Sequence, residues 1–278
     1  MDYFFPSMKQ FLFISFFFLL SARSYAQTDP LTQVHGARNQ SLGNIRVFGN
    51  SAWSYFNNPG ALATVETDQI VVGYDHRFGL KELNTVDLAA TIHRNFGTLA
   101  FGVTRFGGKL FSQQSLGLSF ANQLGIVSFG GKLEWFQTNV EGFGSGNSLV
   151  FSLGGIAELG PKFNLGATIS NLNRGQVSKN NDQRLPTGIS LGLNYAPIEQ
   201  VQLFAEVEKD IQISPIYKFG LEYSLKDWLL LRTGINSNPT KVFFGLGLKH
   251  ERFGIDFGFG QNNPLGTTSH LSLSYQLD

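Results

Sequence analysis

The sequence of 278 residues contains no cysteine. Disulfides, thiolate-bound zinc and thiol nucleophiles are therefore excluded, and the redox compartment is left open. Charge is scarce. Asp, Glu, Lys and Arg make up 15% of the chain and nearly cancel, to a net +1. No field of one sign exists to draw in nucleic acid or an acidic partner. Metal-ligand spacing is missing as well. His35, His76, His93, His250 and His270 show no His-Glu-x-x-His pattern. After the N-terminus no apolar run approaches the ~20 residues of a transmembrane helix. What is abundant is glycine, at 32 residues, and phenylalanine, at 27. Glycine and aromatics with little charge suit a sheet that turns one face to hydrocarbon.

The N-terminus reads as an export signal. Lys9 precedes the apolar run Phe11–Leu20, and Ser24-Tyr25-Ala26 supplies a small-x-small site before Gln27. A membrane anchor is the competing reading, but about ten apolar residues fall short of a bilayer span. The expected division is a signal peptide over 1–26, an interior segment over 27–68 and a barrel over 69–278. Met8 is an alternative start, because Met1–Ser7 adds nothing that a signal peptide needs. A mature chain without apolar helices enters a membrane only as a closed barrel, since every backbone group must be paired in lipid.

From Gln69 onward the hydrophobic period is two. Val86, Leu88, Ala90 and Ile92 alternate with Asp87, Ala89, Thr91 and His93. Phe253, Ile255, Phe257 and Phe259 alternate with Gly254, Asp256 and Gly258. Strict alternation gives each strand one apolar and one polar face. About fourteen such segments are expected, from 69–78 to 268–277. Their polar faces are small and glycine-rich, as a crowded lumen requires. Gly245-Leu246-Gly247 belongs to this pattern and is no phosphate cradle, because no strand-to-helix turn surrounds it. The expected connections alternate in length. Asn95–Gly97, Asn122-Gln123, Gly160-Pro161, Pro197-Ile198, Lys226-Asp227 and Glu251-Arg252 are tight. Gly79–Leu83, Gly107–Leu110, Val140–Asn147, Leu172–Leu185, Ile211–Ser214, Asn236–Pro239 and Gln261–Thr267 are longer and polar. Sorted turns and loops mark an outer-membrane barrel with both termini at the periplasmic end and Leu172–Leu185 outside. A secreted soluble β-protein is the alternative.

Ahead of the strands lies Gly36–Ala63, too polar and broken for a strand. Its marked residues are Gly36, Arg38, Gly43 and Asn44, then Trp53, Phe56, Asn57, Asn58, Pro59 and Gly60. Pro59 disfavours helix at Asn58, and Gly60 permits a tight turn. The length of 27–68 exceeds an ordinary connection, so the segment reads as a plug rather than a surface turn. Gly36-Ala37-Arg38, Leu42-Gly43-Asn44 and Phe56–Ala63 resemble the N-terminal signature of FadL/PorV-like outer-membrane proteins, the PorV/PorQ family included. Here the usual Pro-Ala-Gly order is Pro59-Gly60-Ala61. The resemblance implies a fourteen-stranded barrel with an N-terminal hatch.

By strand phase the lumen carries Asp87, His93, Lys132, Glu134, Glu206, Glu208, Lys218, Glu222, Arg232 and Asp256. Both signs occur. A self-neutralising network that holds the plug is expected, with Arg38 and Arg46 opposite Glu206, Glu208 or Glu222, because buried charges pair. The alternative is a polar path for a solute. Gly130-Gly131 is expected to bulge or bend its strand. No catalytic, metal or cofactor site is expected. His270 and Ser272 share a face, which period two produces by itself.

Two functions remain open at this point. One is passage of small or hydrophobic solutes past the plug, as the resemblance to FadL implies. The other is an accessory barrel of the type IX protein secretion system, as the PorV/PorQ resemblance implies. The expected surroundings are outer-membrane lipid, the barrel-assembly machinery, and either a hydrophobic solute or secretion-system proteins, with no nucleic acid. N-terminal sequencing of protein purified from outer membranes should begin at Gln27. A start at Met1 or Met8 would make the apolar run a retained anchor.

Overall fold

The computed structural model describes residues 33–177, 184–210, 214–262 and 265–277. The expected signal peptide and the first residues of the interior segment, 27–32, lie outside the described residues. Fourteen antiparallel strands form a closed barrel in which each pairs with its chain neighbours and the last pairs with the first. They are β1 (Gln69–Arg77), β2 (Leu80–Arg94), β3 (Gly97–Gly107), β4 (Phe111–Leu124), β5 (Val127–Val140), β6 (Gly144–Gly160), β7 (Phe163–Ser170), β8 (Gly188–Ile198), β9 (Val201–Asp210), β10 (Ile216–Lys226), β11 (Leu229–Asn236), β12 (Lys241–His250), β13 (Phe253–Asn262) and β14 (Gly266–Gln276). Closure leaves no unpaired strand edge, which is what lipid demands.

Alternation sorts the two faces as expected. Phe219, Phe257 and Leu118 stand exposed on the outside, and Ser119, Glu206 and Lys218 are buried inside. This is a transmembrane wall: apolar side chains toward hydrocarbon, small and charged ones toward the lumen. The connections at one end are all tight, such as Gly125-Ile126 and Asp227-Trp228. At the other end several are shorter than the sequence suggested. Gly79–Leu83 is a tight turn at Phe78-Gly79, because β2 already begins at Leu80. Val140–Asn147 shrinks to Glu141–Phe143. Polar residues there continue the ladder beyond the hydrocarbon zone, where composition no longer reports strand.

The β7–β8 connection is the one long loop, and its described part departs from the solvated loop expected. Leu185 and Val177 pack on Phe136 and Val150, whose side chains face the lumen. Buried Asn171 ties the loop together. Its amide donates to the Leu185 carbonyl at 2.9 Å, and its side-chain oxygen accepts from the Gly175 N–H at 2.8 Å. The loop thus turns apolar residues inward over the barrel mouth. Lys179, Asn180, Asn181 and Asp182 lie outside the described residues.

Residues 33–65 lie within the barrel as two short helices, α1 (Ala37–Ser41) and α2 (Ser54–Asn57), and a 3-10 turn (Pro59–Thr64). Leu42, Ile45, Val47, Tyr55 and Leu62 are fully buried. Asn58 is extended, as Pro59 requires, and its side-chain oxygen accepts from the Gly60 N–H at 3.0 Å. Asp68 closes the segment onto the wall. It accepts from the His93 backbone N–H at 2.7 Å and from Arg94, and these bonds hold its carboxyl below the usual range.

The wall makes room for this segment with glycines paired across neighbouring strands. Gly102 faces Gly117, Gly130 faces Gly154, Gly166 faces Gly192, Gly220 faces Gly234, and Gly245 faces Gly258. Each pair is pressed by a different part of the segment. A Cβ on Gly117 would stand 2.7 Å from the Tyr55 hydroxyl, and one on Gly130 2.7 Å from the Pro59 carbonyl carbon. One on Gly192 would meet the Phe48 ring at 2.9 Å, one on Gly234 the Gly43 Cα at 2.7 Å, and one on Gly258 the Ala37 oxygen at 2.9 Å. Any side chain at these sites would overlap the segment. Two expectations change here. Gly130-Gly131 makes no bulge: its pairing with β4 and β6 is regular, and Gly130 is small so that Pro59 can touch the strand. Gly60 is small for the same reason, since its own Cβ would fall on Gly154-Gly155.

Gly130→Val should expel the Pro59 turn, whereas outward-facing Gly131→Val should be tolerated, because a Cβ there stands 3.4 Å from Leu153. Limited trypsin digestion at Arg38 and Arg46 checks this. Cleavage is expected only in Gly130→Val, and equal protection of both variants would sink the seating argument.

Candidate functional site: the interior segment and its ionic clamps

Between Gln33 and Val65 the segment carries Arg38, Arg46 and His35 and no Asp or Glu. The wall supplies the carboxylates. Glu222 is held in a fork by Arg38, at 2.9 and 2.8 Å, and accepts from Arg232 Nε at 2.5 Å. Arg232 continues to Asp256 at 2.6 Å. On the next wall sector Glu206 takes the backbone N–H groups of Arg46 and Val47 on one oxygen, at 2.7 and 2.9 Å. Its other oxygen accepts from Lys218 Nζ at 2.8 Å. Lys218 also donates to Glu208 at 2.5 Å and to the Asn44 carbonyl at 2.7 Å. Glu208 lies 3.9 Å from Arg46 Nε. The expected pairing of Arg38 and Arg46 with these carboxylates is therefore what the geometry places together, and Glu206, Glu208, Lys218, Glu222, Arg232 and Asp256 all point inward. Asp256, 21% exposed at its side chain, is the most open of them.

Two further clamps use residues that strand phase alone did not single out as partners. His35 Nδ1 lies 2.9 Å from Asp87, which also takes the Thr104 hydroxyl, and the His35 ring stacks on Phe56 at 4.7 Å. Asp75 accepts from Gln40 at 2.7 Å and lies 2.8 Å from His270 Nδ1. His270 is thus committed to a carboxylate, while Ser272 accepts the Ala37 N–H at 2.8 Å. Lys132 pairs with Glu134 at 2.9 Å and sits over the Tyr55 ring. His93 lies at the tight-turn end, half buried, 3.0 Å from the Thr98 hydroxyl.

The marked polar residues of the segment serve its own backbone. Asn57 and His35 exchange two bonds, at 2.9 and 2.8 Å. Asn58 donates to the Val47 carbonyl at 2.7 Å. Gly36, Gly43 and Asn44 take positive φ, at 87°, 79° and 62°. Trp53 packs beside Phe56 and fills the space in front of Gly73. Sequence reading passed over Asn39 and Gln40. Asn39 donates to the Ile45 and Phe48 carbonyls, at 2.9 and 2.8 Å, which closes the loop between α1 and α2. Nothing in their spacing distinguishes them from surface polar residues.

At the tight-turn end a cavity of about 430 Å³ is lined by charged and amide side chains such as Arg38, Glu222, Asn164 and Lys249 together with Phe48, Trp53, Phe204 and Leu230. Toward the loop end the buried inward positions are mixed, with Phe106, Phe136, Val150, Ile216 and Phe243 beside Arg77, Gln113, Asp210 and Asn236. Among the described residues no cluster of metal-ligating side chains occurs.

The fold of the chain is shared with solved structures. The toluene transporter TbuX of Ralstonia pickettii superposes with a TM-score of 0.67 at 12% identity, over 88% of this chain and 98% of that one. The toluene transporter TodX of Pseudomonas putida gives 0.67 at 13% identity, over 90% and 98%. A FadL homologue of Pseudomonas aeruginosa gives 0.58 at 13% identity, over 89% and 98%. The barrel is FadL-like. At such identities the likeness speaks for the fold. No protein-family model matches the chain, and no curated protein matches it in sequence.

Replacing Glu222 by Gln removes the carboxylate between Arg38 and Arg232 and leaves Asp256 as the acidic partner of Arg232. Breaking one side of a buried pair costs about 3–5 kcal/mol. Urea unfolding in detergent micelles should therefore show Glu222→Gln less stable by about 3 kcal/mol. Arg38→Met should lose less, because Glu222 keeps Arg232. Unfolding of Glu222→Gln at the wild-type midpoint would mean that the network does not hold the segment.

Proposed function

We propose that the protein is an outer-membrane passage for small hydrophobic or amphipathic solutes, with residues 33–65 as its plug and the tight-turn end in the periplasm. The observation that carries this reading is the attachment of the segment. It meets the wall through glycine seats, hydrogen bonds, ion pairs and apolar packing such as Phe48 on Phe204, and none of these contacts belongs to the strand ladder, so it can shift without breaking the barrel. Phe106, Phe136 and Phe243 on the loop side, and Phe48, Trp53 and Phe204 beside charged groups in the cavity on the other side, suit contact with an apolar or amphipathic solute. The names of the fold neighbours, toluene transporters, agree with a solute of that class.

Leu185 folded over the barrel mouth favours a second reading. A barrel closed at both levels would work through its rim and loops, as an accessory barrel of the type IX secretion system would. Bilayer recordings separate the two. The intact protein should be silent to ions, and a variant lacking Gln27–Ala63 should carry steady current. Proteoliposomes of the intact protein should admit a small aromatic hydrocarbon at least tenfold faster than empty vesicles. Steady ion current through the intact protein would overturn the plug. Silence with no hydrocarbon entry would overturn transport and leave the accessory role.

A further inference from the structure

Across β8–β12 a trough of about 570 Å³ is let into the apolar surface. Its cause lies in two outward rows that register places side by side. The first runs Leu193, Ala205, Phe219, Ile235 and Val242. The second runs Tyr195, Leu203, Leu221 and Thr233. Ala205 and Thr233 are the small members of otherwise large rows. Between the rows lie Gly220 and Gly234, so the floor is bare backbone. The Thr233 hydroxyl is satisfied by the Phe243 carbonyl at 3.1 Å, which leaves its methyl group for the trough. The lining is almost wholly apolar.

We infer that this trough is a binding site for one acyl chain of a phospholipid drawn from the leaflet at the tight-turn end. Three observations select that occupant. The trough continues the hydrocarbon-facing belt, so an apolar chain reaches it without crossing water. Its length fits, since four interstrand steps of about 4.8 Å give roughly 19 Å, against about 15 Å for one leaflet of a ~30 Å core. Its direction fits too. Val242 stands next to the loop end of β12, and Tyr195 stands close to the tight-turn end of β8. The trough therefore descends to the tight-turn interface. There the Tyr195 ring stacks on Phe163 at 4.4 Å, an interfacial aromatic pair, and exposed Lys162 donates to the Pro197 carbonyl at 2.9 Å. Lys162 offers a cation to the phosphate, and Glu199 in the neighbouring turn suits an amine on the same headgroup.

The site also touches the interior. Leu42 and Gly43 press the inner side of the same glycine pair that floors the trough. A chain in the trough and the plug are separated there by one layer of backbone.

Native mass spectrometry of the detergent-purified protein, exchanged into a lipid-free micelle and then given phosphatidylethanolamine, tests the inference. The wild-type barrel should retain one phospholipid. Ala205→Phe, which fills the trough, should lower the retained fraction at least tenfold, and Lys162→Gln should lower it less. Leu88→Phe, on the outward face of β2, should leave it unchanged. Should Ala205→Phe lose the heat-shifted band of a folded barrel, Thr233→Leu serves in its place. Retention by the trough-filling variant equal to wild type, no retention by wild type, equal loss in Leu88→Phe, or a second copy of the chain in place of the lipid would each overturn it.

Discussion

Close contact between two backbones governs this structure. A fourteen-strand barrel is wide enough to leave a lumen, and that lumen has to be filled or held open. Here a segment of the same chain fills it, and the fit is achieved by deleting side chains from the wall. Paired glycines on adjacent strands let Tyr55, Pro59, Val47-Phe48, Leu42-Gly43 and Ala37-Ser41 reach the strand backbone. The helices and turns of the segment are too short to be stable alone. Their conformation is set by the cavity that receives them, with Gly36, Gly43 and Asn58-Pro59 bending the chain where the seats lie.

Once the seats fix the distance, electrostatics fixes the partner. The segment presents Arg38, the Gln40 amide, the His35 ring and the backbone N–H groups of Arg46 and Val47, and the wall answers with Glu222, Asp75, Asp87 and Glu206. In a lumen away from bulk water an unmatched charge is costly, so each group is paired more than once. Glu206 shows the principle best, because it binds a lysine of the wall and two backbone N–H groups of the segment at the same time. Such a network specifies position more than it adds stability. It makes the seated arrangement distinct from a segment that is merely present in the lumen.

The wall behaves differently on its two faces. Inside, small residues admit the segment. Outside, the same strands carry large apolar residues, and the surface is depressed where Ala205 and Thr233 interrupt the rows. The coincidence of that depression with Gly220 and Gly234 follows from strand geometry. A glycine that opens space inward leaves backbone exposed between its outward neighbours, and the trough forms where those neighbours are small too.

The alternation of Val86 to His93 or Phe253 to Phe259 made the strands, the closed barrel and the inward set of charges legible, because a period of two separates the faces without reference to any partner. The odd length and composition of Gly36–Ala63 likewise showed that it is no strand. Strand ends were misjudged at Leu80 and Gly144, since outside hydrocarbon polar residues extend a ladder as readily as apolar ones. The role of Gly130 was misread, because a glycine that bends a strand and one that receives a neighbour look the same in one dimension. The same limit hid the pairing of His270 with Asp75, the clamp of His35 on Asp87 and the inward turn of Leu185. The sequence by itself determined which residues face the lumen and which face lipid, since that choice is local. Only the tertiary structure decided which of them meet, because register around a closed barrel brings together residues that no spacing along the chain connects.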